Sequence, residues 1–323
     1  MTDTTTPNSA GITKELATGK FTDKMLADMR ALIGTELRTE ASINNEYATR
    51  MAILRFCEGI GDDNPMWTDA AYAEKGPHGT LVAPPSFIFA CLGGVQVGWP
   101  GLGGFHCETT IKFHKPIRVD EKIKARVVFQ GFDGPTADSN FGGRRIKDYI
   151  LQQYLNQDGE VVADFICSRM RFERGEMQKR AETRKLEVPH PWTDDQLAEI
   201  ENQILAEKPR GAEPRYWEDV KEGEELPVKF KGPMTVTGFI CYAQGWGGLY
   251  IRANKLAYKM QQAHPGLGIK NRFNVPDCPE RVHWDEAFAL EVGAPGAYDY
   301  GPERNSWLTH QITNWIGDDG FLH

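Results

Sequence analysis

Residues 61–67 read Gly61-Asp62-Asp63-Asn64-Pro65-Met66-Trp67, and the fold turns on how this stretch is understood. Before it, Asn45–Gly59 has helical spacing that offers Met51, Leu54 and Phe56 to a core. After it, Thr68–Ala73 is a short helix-forming run with Asp69 near its start, where a carboxylate suits the helix dipole. Asp62 and Asn64 therefore sit on a tight turn between two helices. Such residues cap helices and shape turns. An acid and an amide held this way are also what a catalytic loop presents, and the sequence leaves both roles open.

Beyond the turn, Val82–Gly94 is apolar, opens with Pro84-Pro85 and ends in Gly93-Gly94, which predicts a helix buried on all sides. The pattern then changes to strands. His106–Phe113 alternates, Lys122–Phe132 follows, and Lys147–Leu155 and Glu160–Phe172 flank Asn156-Gln157-Asp158-Gly159, a hairpin signal. Upstream, Asp23–Ile33 is a further helix with Met25, Met29 and Ile33 on one stripe. Helices, a buried helix and an antiparallel meander thus make up the first half.

Gly175–Pro214 is charged, contains several prolines and reads as a linker holding one exposed helix, Asp194–Ala206. The second half repeats the first by element order. A segment Val228–Val236 precedes a helix over Gly238–Gly245; Ile251–Gln262 and a loop to Pro279 look inserted; His283 follows, and then a helix over Asn305–Trp315. No meander comes before His323. The expected organisation is residues 1–22 disordered, 23–174 one unit, 175–214 linker, and 215–323 a second, partial unit.

Composition narrows the function. A formal charge of -8 with no basic stripe argues against nucleic acid. Cys57, Cys91, Cys107, Cys167, Cys241 and Cys278 form no C-x-x-C pair and read as reduced, mostly buried thiols, as in a cytoplasmic protein. The polar N-terminus is no signal peptide, and no apolar run reaches the roughly 18 residues of a membrane span. Neither a metal nor a cofactor is expected, since no cluster has ligand spacing. Gly101–Gly104 lacks the strand-to-helix setting of a phosphate loop, and no Gly-x-Ser-x-Gly elbow is present.

The order of elements, with Gly61-Asp62-Asp63-Asn64-Pro65 inside it, resembles the MaoC-like (R)-specific enoyl-CoA hydratases, whose signature runs Gly-Asp-x-Asn-Pro-x-His. Ala83-Pro84-Pro85-Ser86-Phe87 is similar to the central-helix start in their non-catalytic partners, including the FAS1-like dehydratase N-terminal domain. Arg281-Val282-His283-Trp284-Asp285-Glu286-Ala287-Phe288-Ala289 resembles the catalytic half's Pro-x-His-Trp-x-Asp-x-x-Ala. There are two departures. Trp67 stands where the family has its His, and Asp277 falls one position out of register with His283.

The resemblance implies an α+β protein with two hotdog units in tandem, the second lacking its final strands in this chain. It implies an acyl-CoA hydratase or dehydratase that moves water across the C2–C3 bond of a 2-enoyl-CoA, with a bulky acyl group. Activating that water takes a carboxylate and an imidazole; stabilising the thioester oxygen takes backbone N–H groups at a buried helix. The implied catalytic residues are His283, Asp277, Asp62 and Asn64, and the implied substrate-binding ones are Trp67, His78, Ala83, Ser86 and Gly301. Each has a plainer role beside this: Trp67 as packing, His78 as a loop residue, His283 at a helix start, Asp285 as a cap, and Asp299, Arg304 and His310 as an ion-pair set. Paired hotdogs keep their two sites apart, so Asp62 and His283 are not expected to meet. The implied partner is a MaoC-like subunit or a second copy of the chain. The competing readings are a non-catalytic acyl-binding scaffold subunit and a hotdog thioesterase.

Overall fold

A computed structural model describes residues 19–95, 97–138, 143–173, 191–291, 294 and 296–323. Its frame is a five-stranded antiparallel sheet, ordered β1-β3-β4-β5-β2, from β1 (Glu36–Leu37), β2 (Leu102–Phe113), β3 (Lys124–Asp138), β4 (Gly143–Leu155) and β5 (Val161–Glu173). The β4–β5 hairpin closes where the Asp-Gly signal placed it, with Gly159 in the left-handed region at φ 79°. Phe165 on the sheet's inner face meets Phe89 edge-on, centroids 5.6 Å apart.

Helix α1 (Asp23–Ala31) buries Leu26 and Met29 and stops before Ile33, which is exposed. Residues 19–22 are not a loose tail: Phe21 is buried, its N–H donates to Glu173 (3.0 Å) and its carbonyl accepts from Arg144 (2.6 Å). Helix α2 (Arg50–Ile60) starts on Thr49, whose hydroxyl accepts from the Ala52 N–H, and ends on Gly61 at φ 62°. It buries Ile53, Phe56, Cys57 and Ile60, whereas Met51 is 54% exposed, so the core stripe is rotated from the one expected. Two short helices follow, α3 (Pro65–Thr68) and α4 (Ala70–Ala73), the second capped by Asp69.

The buried helix expected over Val82–Gly94 is instead a 3₁₀ turn, Pro85–Phe87, and a single α-turn, α5 (Ile88–Cys91). Consecutive prolines keep the entry extended. At the other end Asn44 and Asn45 donate their backbone N–H groups to the carbonyls of Cys91 and Ala90, and Leu92 bridges Ile43. A neighbouring loop thus takes the carbonyls a longer helix would have needed. Burial is as expected: Phe87 through Cys91 are all inside.

The expected linker helix is α6 (Asp194–Ala206); the second half contributes α7 (Val236–Trp246), α8 (Asn254–Ala263), α9 (Glu286–Glu291) and α10 (Gly301–Ile316). Its only paired strands among the described residues are β6 (Ile269–Lys270) and β7 (Pro276–Asp277), which bond each other. The sequence predicts a second unit without its meander, and among the described residues the second half pairs only these two short strands. Lacking a sheet to cover, α7 packs on α2, and Phe239, Tyr242, Trp246 and Tyr300 join one core with Ile53, Phe56 and Phe87. A small separate cluster holds Ile269, Val282, Phe288, Ala289 and Ala294. Of the cysteines, Cys57 and Cys91 are buried, Cys107 is exposed and the rest lie between. No helix among the described residues is long and apolar enough to cross a membrane.

Candidate functional site

The turn after α2 is held by its own side chains. Asp62 Oδ1 accepts the Asn64 N–H (3.1 Å), and Asn64 Oδ1 accepts the Met66 N–H (3.0 Å). Both residues are buried. His310 of α10 places Nε2 3.1 Å from Asp62 Oδ1, with the two side chains 0% and 1% exposed. Lys231 donates to the carbonyls of Ile60 and Gly61 (2.9 Å each) and lies 3.0 Å from His310 Nδ1. A lysine ammonium only donates, so Nδ1 accepts from Lys231 and Nε2 carries the proton; Asp62 and the Asn314 amide nitrogen both lie 3.1 Å from Nε2. Glu207, paired with Lys229, stands 3.4 Å from Nε2.

Burial dominates the charges here. It pushes Asp62 up to about 6, against the Asn64 N–H, the Trp67 indole, Lys231 and Lys229. The Trp67 N–H is buried and short of hydrogen-bond geometry, so it acts as a dipole only. Burial, with help from Lys229, draws Lys231 down to about 8. Burial, Lys231 and Lys229 hold the His310 imidazole well below its ordinary range, so it is neutral. Trp67 stands where the resembled signature has its His, yet a histidine from a distant helix reaches the same Asp. Closed to solvent, this pair clamps α10 to the turn.

Trp67, His78 and Ala83 line a cavity of about 50 Å³ together with Asn64, Pro84 and Pro85. That volume suits a few waters, not an acyl chain. No oxyanion site forms there: the Ala83 N–H is taken by the Ile117 carbonyl (2.8 Å), and Pro84 and Pro85 have no N–H. The Ser86 hydroxyl is buried without a protein partner and lies outside the cavity wall.

A larger cavity, about 250 Å³, opens between the inner face of the sheet and the N-terminal end of α10. Here the structure brings His283 and Gly301 together. His283 closes a 3₁₀ turn, Pro279–His283. Its Nδ1 is 2.7 Å from the Tyr298 carbonyl, which fixes the proton there and leaves Nε2 as an acceptor. Its ring lies on Tyr300, centroids 3.8 Å apart. Burial lowers its pKa to about 4, so the imidazole is neutral.

Asp277 is not its partner. It accepts from Asn271 (3.4 Å) and from the Cys278 N–H (2.7 Å). Among the described residues no carboxylate lies within 4 Å of His283. Asp285 caps α9 through the Phe288 N–H (3.1 Å). Glu280, which sequence analysis did not single out, is buried and accepts the Tyr300 hydroxyl (3.0 Å). Gly301 opens α10, whose first N–H groups have no partner within the helix. A Cβ there would come within 3.0 Å of the His106 ring, so the close approach of strand and helix depends on glycine.

Arg169 and Arg171, on the cavity's sheet wall, were also missed. The signal was present: they share the alternation phase of Phe165 and Cys167, which puts charge on an inward face.

Residues 31–165 match the family model for the FAS1-like, dehydratase domain region. A UPF0336 protein of Parafrankia sp. is 27% identical over 127 residues, which is 37% of this chain and 80% of that protein. A UPF0336 protein of Streptomyces coelicolor is 30% identical over 82 residues, 23% of this chain and 55% of that protein. A solved MaoC-like dehydratase superposes with a TM-score of 0.57 at 18% identity, covering 89% of this chain and 79% of that one. At such identity the last comparison speaks for the fold alone.

Proposed function

We propose that this chain, whose residues 31–165 match the family model for the FAS1-like dehydratase domain region, is an acyl-CoA hydratase or dehydratase working in the cavity of His283. One observation carries this: a neutral imidazole, its Nε2 free to accept, faces a 250 Å³ cavity beside the N-terminal end of α10. In hydration, His283 Nε2 takes a proton from the water that attacks C3, and the resulting imidazolium returns a proton to C2. The Tyr298 carbonyl holds the ring in the productive tautomer. The Gly301 N–H stabilises the negative charge that grows on the thioester oxygen. Dehydration runs the same steps backwards. No cofactor is called for, since a coenzyme A thioester is itself the substrate.

The test is hydration of a panel of 2-enoyl-CoA thioesters, with the chain alone and with a coexpressed neighbour. His283→Ala is expected to lower kcat/KM by about 10²–10⁴-fold, the usual worth of general acid–base catalysis. Asp62→Ala should leave kcat/KM within a few-fold, at some cost in stability. The acid limb of kcat/KM should fall near pH 4, where His283 titrates, and not near 6.5. A parent that is active and indifferent to His283→Ala sinks the assignment.

One observation favours a second reading, an acyl-binding scaffold subunit: His283 lacks the carboxylate that the family's signature pairs with its His. An inactive parent that gains activity only with a partner, and keeps it in His283→Ala, would support that reading. A hotdog thioesterase is disfavoured, because no Asp or Glu is among the described residues lining this cavity. Surface on the second half suits a partner or second copy: Val236 and Ile240 of α7 and Leu308 of α10 are 50%, 55% and 56% exposed.

A further inference from the structure

Strand β5 turns Phe165, Cys167, Arg169 and Arg171 to the same face, and Phe165 packs on Phe89 inside the fold. Two arginines therefore occupy positions where the strand pattern places core residues. Their side chains are 10% and 9% exposed. Both depend on one carboxylate: Arg169 Nε donates to Asp148 Oδ1 (3.2 Å) and Arg171 Nε to Asp148 Oδ2 (2.9 Å). Asp148 is fully buried and also accepts the Trp99 indole N–H (2.9 Å). Arg169 Nη1 reaches the Val95 carbonyl (3.3 Å).

Two donors are left over. Nη2 of Arg169 and Nη2 of Arg171 are both buried and donate to no protein group. Both side chains line the 250 Å³ cavity, whose described walls contain no Asp or Glu. A guanidinium keeps its proton in any protein environment, so it cannot escape burial by becoming neutral. A cation buried without its full set of partners is costly, and two of them share one anion here. Glycine makes the room: a Cβ at Gly104 would stand 2.5 Å from Arg171 Nη1.

We infer that Arg169 and Arg171 form a carboxylate-binding subsite, and that the acyl group carried by this protein bears a second, free carboxylate, as in a dicarboxylic acyl thioester. The inference rests on the acyl-thioester reading above. Two guanidinium forks at alternate positions of one strand face suit the two oxygens of a carboxylate. The other anion such a ligand carries is a coenzyme A phosphate, which needs the same donors. The position of both arginine side chains on the cavity wall favours the acyl carboxylate: the anion must enter the cavity itself, whose volume fits a short acyl chain, and neither a nucleotide nor the bulky acyl group that the resemblance implied.

Calorimetric binding of glutaryl-CoA, its monomethyl ester, butyryl-CoA and free coenzyme A to the parent, Arg171→Gln and Arg169→Gln tests this. Glutaryl-CoA is expected to bind the parent at least about tenfold tighter than butyryl-CoA, from charge-assisted hydrogen bonds in a closed site. Its monomethyl ester should lose that advantage, a result that needs no variant to fold. Each glutamine variant should shrink the preference for glutaryl-CoA over its monomethyl ester. Equal affinities in the parent, or a preference surviving esterification, overturns the inference. If the variants weaken free coenzyme A and butyryl-CoA as much as glutaryl-CoA, the arginines hold a phosphate and the inference also falls. If the parent binds no thioester at all, the acyl-thioester reading fails and this subsite fails with it; butyryl-CoA bound without preference removes the subsite alone.

Discussion

His310 and Asp62 titrate in opposite senses for the same cause, burial. In the unfolded chain His310 takes a proton near pH 6.5; in the fold burial and two lysines keep it off until far lower. Its contribution to stability is whole above 6.5 and is lost as pH falls below that value. Asp62 has its pKa raised from 3.8 to about 6, so the fold holds a proton that the unfolded chain has released. Its contribution therefore falls as pH rises from about 4 to about 6. The two slopes oppose each other over that window, and single variants separate them. His310→Gln keeps an acceptor for Lys231 and a donor for Asp62 but cannot take up a proton. Between pH 6.5 and 4.5 the parent should lose about 1–2 kcal/mol more than His310→Gln, within the limit of about 1.4 kcal/mol per pH unit for one proton. Urea titrations at the two pH values measure this. Equal losses would mean that His310 is not kept neutral by the fold.

Helices α2 and α7 approach to backbone contact, and glycine permits it from both sides. A Cβ at Gly245 would lie 2.5 Å from the Arg55 carbonyl oxygen, and one at Gly59 would lie 2.8 Å from Tyr242 Cα. Backbone cannot swing aside as a side chain can. Gly245→Ala should therefore cost about 1–3 kcal/mol through overpacking. Gly238→Ala in the same helix meets only Thr235 Oγ1 at 3.6 Å and should be neutral or stabilising by up to about 1 kcal/mol. Thermal melts of the pair decide it, and equal melting temperatures would deny the close crossing. Elements of this kind were partly legible in the sequence. The β4–β5 hairpin and the exposed helix α6 (Asp194–Ala206) were readable because alternation, Asp158-Gly159 and helical spacing are local signals. The stripe of α2 and the length of α5 were not, because their limits are set by α7 and by the Asn44–Asn45 loop. The site divides likewise. His283 carries a motif in its own neighbourhood, whereas the Asp62–His310 contact and the use of Asp148 by two arginines exist only once remote segments meet.

At the scale of the whole molecule, two half-chains share one interior. Tyr242 is fully buried, stacks on Trp246 (5.5 Å between centroids) and tilts against Phe56 of α2 (6.4 Å). Trp246 in turn meets Tyr300 at the start of α10 (4.7 Å). The second half's only sheet among the described residues is the short β6–β7 pair; Ile269, Val282, Phe288, Ala289 and Ala294 form their own cluster, and Phe239, Tyr242, Trp246 and Tyr300 are buried in this shared interior. The first half depends on it equally, since Ile53, Phe56 and Ile60 of α2 would otherwise be left beside α7's empty place. Unfolding should then be one cooperative event. Tyr242→Ala removes an aromatic ring from the shared core, for which a loss of about 3–5 kcal/mol is usual. That loss should appear in hydrogen exchange at the amides of β4 and β5 as fully as at those of α7 and α10. Protection kept in β4 and β5 while α7 and α10 lose theirs would show two independent units.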